Sequence, residues 1–446
     1  MSRSRTTTVA LASVLVLAFA LVTVVAAGCG SSATSSSSSP AAAASLPSPG
    51  GGGSIVLWHG YTDVERTATD AFVARFNATH PGFTVKAVFA GSNDYALQKL
   101  MTALAAGKAP DISYQYGSSM ANLATSPKIV DLGPLMQQSP NFNWDDFFPA
   151  ERLATTVNGK VLGVPALVDN LALVYNKALF DKAGIPYPTK DWTWTDFRDA
   201  AKKLTDPANK QFGWAYVNDG SEDTVWRFLA LLWQAGGDLL SADNTKAALD
   251  SPAGLKAMQL LHDMAVTDKS VYLDNGNGNY LNLFNSGKIA MLWTGPWDIS
   301  SINAGVNYGV QILPGDVTHA TIAGPDNYVV LNNGPQQVAN AWDFIQWFCS
   351  PDVHLQYAIA TGHLPIRKSE TKLPAYKEYL KKYPADAVFV ANLDNVTKAR
   401  PNIVTYPKIS AALGQAVQAV LLGRAQPQQA LTAVSQQINA ILASGQ

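Results

Sequence analysis

Apolar and polar positions along the chain divide it into alternating strands and helices. A leading run of apolar residues, 9–27, carries no charge. It is followed by residues 30–54, rich in Ser, Ala, Pro and Gly, in which Leu46 is the one aliphatic side chain larger than Ala. Such a stretch buries too little surface to offset its ordering entropy and reads as a tether. Beyond it, 55–58 is a short continuous apolar run, the mark of a buried strand. Ala68, Ala71, Phe72, Arg75 and Phe76 recur at helical spacing across 64–80, and Pro81-Gly82 stops that helix. A second strand is expected at 83–90, a second helix at 95–107 and a third strand at 109–114. This β-α-β-α-β order predicts a parallel sheet covered by helices.

The stretch 161–176 reads as extended but is long for one strand, and Pro165 is awkward inside a central strand. A chain that leaves one sheet and enters another fits better. Helical patterns follow at 194–204, 224–235 and 253–265, and strands at 289–293, 308–313 and 326–331. The last hundred residues are mainly helical, including 411–422 and 427–442. The fold class expected is therefore α/β.

The N-terminus sets the compartment. Arg3 and Arg5 precede the apolar run, which ends Val25-Ala26-Ala27-Gly28-Cys29. A positive start, an apolar centre and small residues describe a secretory signal, here 1–28. The last five residues resemble a bacterial lipobox with Ala26 where Leu is usual, which implies lipidation at Cys29 and a tether over 29–54. The alternative is an uncleaved signal anchor. Either reading places the remaining chain outside the cytoplasmic membrane.

Composition narrows the function. Lys plus Arg is 32 against 33 Asp plus Glu, which excludes a generic nucleic-acid binder, since that needs a clustered basic excess. Charged residues make up 15% of the chain, below the roughly 25% usual for soluble domains, as in many secreted proteins. Cys29 and Cys349 are the only cysteines, so cysteine metal cages and disulfide frameworks are not expected. There is no H-E-x-x-H, G-x-S-x-G or Walker motif, and no metal or cofactor is anticipated.

Several segments, in order, resemble the family-1 extracellular solute-binding proteins of ABC importers, which include maltodextrin-binding proteins. They are Leu57-Trp58-His59-Gly60, Phe76-Asn77 with His80-Pro81-Gly82, and Gly107-Lys108-Ala109-Pro110-Asp111-Ile112. Val174-Tyr175-Asn176-Lys177-Ala178-Leu179-Phe180, Gly184-Ile185 and Trp194-Thr195-Asp196-Phe197 continue the series. Phe284-Asn285-Ser286-Gly287-Lys288-Ile289-Ala290-Met291 and Gly295-Pro296-Trp297 complete it. The resemblance implies a two-lobe, periplasmic-binding-protein-like fold with crossover hinges and a helical C-terminal region. Its expected boundaries are lobe 1 over 55–168 and 308–362, and lobe 2 over 169–307 and 363–446. It also implies a non-catalytic, monomeric receptor that hands a sugar to membrane permease subunits.

Candidate ligand contacts follow from two sources. Residues beyond the C-terminal ends of parallel strands line the crevice of open α/β sheets. That rule selects His59 and Tyr61, Asp94 with Asn93, and Tyr114 and Tyr116. The resemblance places Asp169 and Asn170 at the first crossover, matches Trp297 to the stacking tryptophan of sugar-binding relatives, and puts Trp226 where relatives carry a stacking aromatic. Asp298 follows Trp297, and Glu222 and Asp223 precede the helix of Trp226, where carboxylates are also ordinary helix starters. Arg367 lies near another expected crossover, available for a ligand or for bridging the lobes. Gly324-Pro325-Asp326-Asn327 leads into the strand expected to re-enter lobe 1. Two other functions remain open here: a secreted glycoside hydrolase built on Glu222, Asp223 or Asp169, and a binding protein for a glycerophosphodiester.

Overall fold

The computed structural model describes residues 46–91 and 95–445. Cys29, its leader and most of the tether, and Asn93 and Asp94, lie outside the described residues. Among the described residues twelve strands occur in chain order: β1 (Ser54–His59), β2 (Thr84–Phe89), β3 (Ile112–Tyr116), β4 (Thr156–Val157), β5 (Lys160–Val161), β6 (Val164–Leu167), β7 (Ala172–Asn176), β8 (Phe212–Val217), β9 (Val271–Asp274), β10 (Ile289–Thr294), β11 (Tyr308–Gln311) and β12 (Asp326–Val330). They form two five-stranded sheets, ordered β2-β1-β3-β12-β6 and β11-β7-β10-β8-β9, and a small β4-β5 ribbon.

In the first sheet β1 runs parallel to β2 and β3, and β12 runs antiparallel to β3 and β6. In the second, β8 is parallel to β9 and β10, while β7 is antiparallel to β10 and β11. The first sheet packs with Leu57, Phe76, Ile112 and Phe344; one face of the second packs with Phe197, Trp214, Leu229 and Trp293, while Val174, Ala215 and Leu292 on its other face belong to the same apolar cluster as the first sheet.

The over-long extended stretch divides as Pro165 suggests. β6 closes the first sheet, residues 168–171 cross over, and β7 belongs to the second sheet. Pro165 sits on an edge strand, where its missing N–H breaks no ladder on the open side. The crossovers run side by side: Leu364 N–H donates to Val168 O at 3.1 Å, and Leu171 N–H to Ile322 O at 3.3 Å.

One boundary differs from expectation. β11, assigned from sequence to the first lobe's return, pairs with β7 in the second sheet. The return to the first sheet is made by β12. After it, the helices Pro335–Phe348 and Pro351–Thr361 pack on the first lobe, and the helices Tyr406–Leu421 and Pro427–Ser444 pack on those of the second.

Local sequence positions the second lobe's helices. Ser221 caps the helix Glu222–Gln234, its side chain accepting from Asp223 N–H at 3.1 Å. Thr193 and Asp196 make a reciprocal capping box on the helix Trp194–Lys203. Gly184, with φ of 65°, ends the helix Lys177–Ala183 in the left-handed conformation.

Candidate functional site

Between the lobes lies a cavity of about 360 Å³, lined from both sides. Strand ends of the first sheet supply Tyr114, Tyr116 and Asp326, and the helix Asp63–Thr79 supplies Glu65. The crossovers supply Asp169, Gly324 and His363. The second lobe supplies Glu222, Asp223 and Trp226 at the start of one helix, and Trp297 just after β10. Arg400 comes from the coil ahead of the helix Tyr406–Leu421.

The aromatic wall is a pair of indoles, Trp226 and Trp297, with ring centroids 5.9 Å apart and planes at 45°. Trp226 is buried and its Nε1–H has no hydrogen-bond partner among the described residues, while Trp297 is half-buried. Opposite them, Tyr114 and Tyr116 meet edge to face at 5.8 Å. Alternation along β3 puts both rings on one face, with Gln115 fully buried on the other.

The polar wall is rich in carboxyls. Asp169 Oδ1 accepts from Gly324 N–H at 3.0 Å. Burial pushes the Asp169 carboxyl up to about 7, against the opposing pull of that N–H and of Arg400. Burial, and then repulsion from Asp169, also pushes Asp326 well above the carboxylate range. Behind them Glu151 is fully buried with neither oxygen partnered; burial raises it, and Asp169 and Asp326 add to the effect. Among the described residues no cationic side chain forms an ion pair with Asp169 or Asp326.

The remaining charges are matched inside the protein. Glu222 accepts from Arg400 at 2.9 Å, from Tyr406 OH at 2.8 Å and from Ser410 Oγ. Asp223 pairs with buried Arg227 one turn on, yet its side chain stays 46% exposed, which leaves acceptor capacity facing the cleft. His363 Nε2 lies 3.5 Å from Glu65 Oε1, and burial lowers its imidazole to about 4, so it is neutral at physiological pH.

Gly324 has a steric role. A Cβ there would stand 2.8 Å from Asp169 Oδ1 and 3.5 Å from Trp226 Cζ2. Its bare backbone lets a carboxyl, an indole and an N–H converge on one point.

Of the residues selected from sequence, Tyr114, Tyr116, Asp169, Glu222, Asp223, Trp226 and Trp297 come together here. Others turn to the protein instead. Tyr61 is fully buried behind Tyr114, ring to ring at 5.0 Å, and His59 stacks on Tyr61 at 5.4 Å while its Nδ1 accepts from Tyr61 N–H. Asn170 donates to Phe389 O at 2.8 Å and accepts from Asn392 at 3.1 Å, which ties the crossover to the C-terminal region. Asp298 accepts from Tyr280 OH and Thr294 Oγ1. Arg367 donates to Cys349 O and Phe142 O, both at 2.7 Å, and covers the Phe147 ring at 4.0 Å. These five satisfy buried polar groups within the fold or prop the cavity wall.

Glu65, Gly324, Asp326, His363 and Arg400 line the cavity without having been selected. Gly324 and Asp326 sit in the segment that leads into β12, and His363 stands four residues before Arg367, so the crossovers did mark their neighbourhoods. Nothing local marks Arg400. Among the described residues no group of three or more His, Cys, Asp or Glu side chains is placed to hold a metal ion.

Residues 61–354 match the family model of the bacterial extracellular solute-binding proteins. The cyclic α-maltosyl-1,6-maltose binding protein of Arthrobacter globiformis superimposes with a TM-score of 0.76 and 28% identity, covering 88% of this chain and 99% of that one. An ABC substrate-binding protein of Listeria monocytogenes, solved with cycloalternan, gives 0.78 and 27%, with coverage of 88% and 99%. The sn-glycerol-3-phosphate-binding periplasmic protein UgpB of Yersinia enterocolitica is 25% identical over 407 residues, 85% of this chain and 90% of its own. The two sheets, their crossovers and the family match over most of the chain together identify it as a member of the bacterial extracellular solute-binding proteins, the capture components of ABC importers.

Proposed function

We propose that this protein is a non-catalytic receptor that captures a sugar between its lobes and delivers it to an ABC permease. The observation that carries this reading is the Trp226–Trp297 pair facing carboxyl oxygens across one cavity. Sugars present apolar C–H faces and hydroxyl edges. Indoles take the faces, at about 0.5–1.5 kcal/mol per contact beyond burial, and carboxylates accept from the hydroxyls. The relatives at 27–28% identity, a cyclic α-maltosyl-1,6-maltose binding protein and one solved with cycloalternan, support the same class.

A phosphodiester or glycerol phosphate is less well served. Asp223 would face its charge, and Arg400, which lines the cavity, already pairs with Glu222. A hydrolase is less well served too, because Glu222 is held by three donors within the protein. Both lobes line the cavity, so hinge closure around the ligand is the expected mode of capture. The family acts outside the cytoplasm; for this chain the lipobox-like Ala26-Ala27-Gly28-Cys29 supports anchoring through Cys29, with a monomeric body.

Thermal-shift and calorimetric screening against saccharides, sn-glycerol 3-phosphate and glycerophosphocholine tests the reading. Saturable binding of a saccharide without turnover is expected. Binding of the phosphates alone, or release of cleaved sugar, would refute it.

A further inference from the structure

Charge around the cavity does not balance. Among the described residues, five carboxyl side chains line it, Glu65, Asp169, Glu222, Asp223 and Asp326, against the single guanidinium of Arg400. The cations of the fold are already committed: Arg400 pairs with Glu222, and Arg227 with Asp223. His363, beside Glu65, is kept neutral by burial and supplies no charge. Asp169 and Asp326 are left without a cationic side chain in an ion pair among the described residues. Glu151 deepens the imbalance. It stands behind the pair, fully buried, with neither oxygen partnered among the described residues, and Asp169 and Asp326 both oppose its ionisation. A buried carboxyl without a counter-charge destabilises the fold, and neighbouring ones repel each other. Neutral amides would take sugar hydroxyls without that penalty, so hydroxyl recognition alone does not explain this wall.

The aromatic wall fits the same missing charge. Indole faces attract a cation as well as stack on a sugar ring, and Trp226 and Trp297 stand 5.9 Å apart with their planes at 45°. At Gly324 the two walls meet: the position of its absent Cβ lies 2.8 Å from Asp169 Oδ1 and 3.5 Å from Trp226 Cζ2. A cation near that point meets a carboxylate and an indole together. In the empty cleft, protons stand in for it. Burial and repulsion from Asp169 keep the Asp326 carboxyl protonated, and burial holds Asp169 at about 7. Glu65 opposes ionisation of both, Asp223 opposes that of Asp169, and Arg400 favours both. A cation lodged beside the pair supplies the counter-charge and drives those protons off.

We infer that the captured sugar carries a protonated amine, seated between Trp226 and the Asp169–Asp326 pair. This rests on the sugar reading and adds the ligand's charge to it. The ring stacks on the indoles as a neutral sugar would, and the amine sets the selectivity.

Calorimetry at pH 6.5 compares glucose, glucosamine and N-acetylglucosamine, each as the monomer and as the β-1,4-linked dimer, and the same three forms of galactose and mannose as monomers. The N-acetyl form keeps the ring and the nitrogen and removes the charge. At least one amine is expected to bind about tenfold or more tighter than both of its neutral counterparts. Its binding should also release protons, read as a dependence of the measured heat on the ionisation enthalpy of the buffer. Asp326→Asn removes one carboxyl at nearly constant shape, and with it part of the repulsion in the cluster. It should reduce the amine's advantage over its parent sugar to about threefold or less, with a melting temperature no lower than that of the wild type. Amines that bind no tighter than their neutral counterparts, or that bind without releasing protons, or an advantage that Asp326→Asn leaves intact, would overturn the inference; saturable binding of a neutral saccharide would then leave the sugar reading standing. If no saccharide binds at all, both fall.

Discussion

Replacing Asp169 by Asn separates what the cavity costs the fold from what it does for the ligand. The Asp169 carboxyl stands at about 7 in the folded protein against an ordinary value of 3.8, with burial as the main cause. Between those values the unfolded chain is ionised while the folded one keeps its proton. Stability is therefore lost as pH rises from about 4 to about 7 and then levels off. At 1.36 kcal/mol per unit, the shift corresponds to at most about 4 kcal/mol. Asp326 and Glu151 share the repulsion, so about 2–4 kcal/mol is expected. Asn is isosteric and can still accept from Gly324 N–H. With an unfolding entropy of about 2.1 cal/mol/K per residue, a chain of about 400 residues gains roughly 1 °C per kcal/mol. Asp169→Asn should then raise Tm by about 2–4 °C at pH 8 and by nothing at pH 4. Binding moves the other way. Ligand hydroxyls donate to the ionised carboxylate, so wild-type affinity should rise with pH through 7, helped by Arg400 and opposed by Glu65 and Asp223. The variant should bind about 10–100-fold more weakly at pH 8, the loss of a hydrogen bond to a charged group, with a flat pH profile. Scanning calorimetry and titration across pH 4–8 measure both. An equal Tm difference at pH 4 and pH 8, or a variant less stable at pH 8, would refute the reasoning.

Four further outcomes follow from the same geometry. Trp297→Ala should weaken sugar binding by more than about tenfold through lost stacking and burial, with an unchanged far-ultraviolet dichroism spectrum; wild-type affinity by calorimetry would remove the stacking role. Gly324→Ala brings a methyl to 2.8 Å from Asp169 Oδ1, and should cost about 1–3 kcal/mol of stability along with most of the binding, read by melting and titration. Arg400→Met strands Glu222 beside Tyr406 and Ser410 and should lower stability by about 3–5 kcal/mol; adding Glu222→Gln should recover part of it. Cys29→Ala should release the protein from the membrane fraction, and continued retention would favour an uncleaved signal anchor.

Much of the fold is legible because its signals are local. The first β-α-β-α-β run shows in periodicity and stop residues, and Pro165 inside an over-long strand marks the crossover, since proline belongs on an edge. β11 escaped for the opposite reason. It is four half-buried residues whose sheet is decided by pairing with β7, far earlier in the chain. The cavity divides the same way. Asp169, Trp226 and Trp297 stand beside recognisable element ends or within family motifs. Asn170 and Arg367 carry the same polar-near-a-hinge signature, yet their partners are Phe389, Asn392 and Cys349, which only the tertiary structure supplies. Arg400 meets Glu222 from 178 residues away, and no spacing rule reaches that distance.

In the proposed mode of capture Trp226 and Trp297 hold a sugar between the lobes. Tryptophan fluorescence titration with the tightest-binding saccharide, on the wild type and on the Trp226→Phe/Trp297→Phe double variant, tests it most directly. A saturable spectral change is expected in the wild type, with its loss and a matching loss of affinity in the variant. The same spectral change and the same affinity in both proteins would contradict the account.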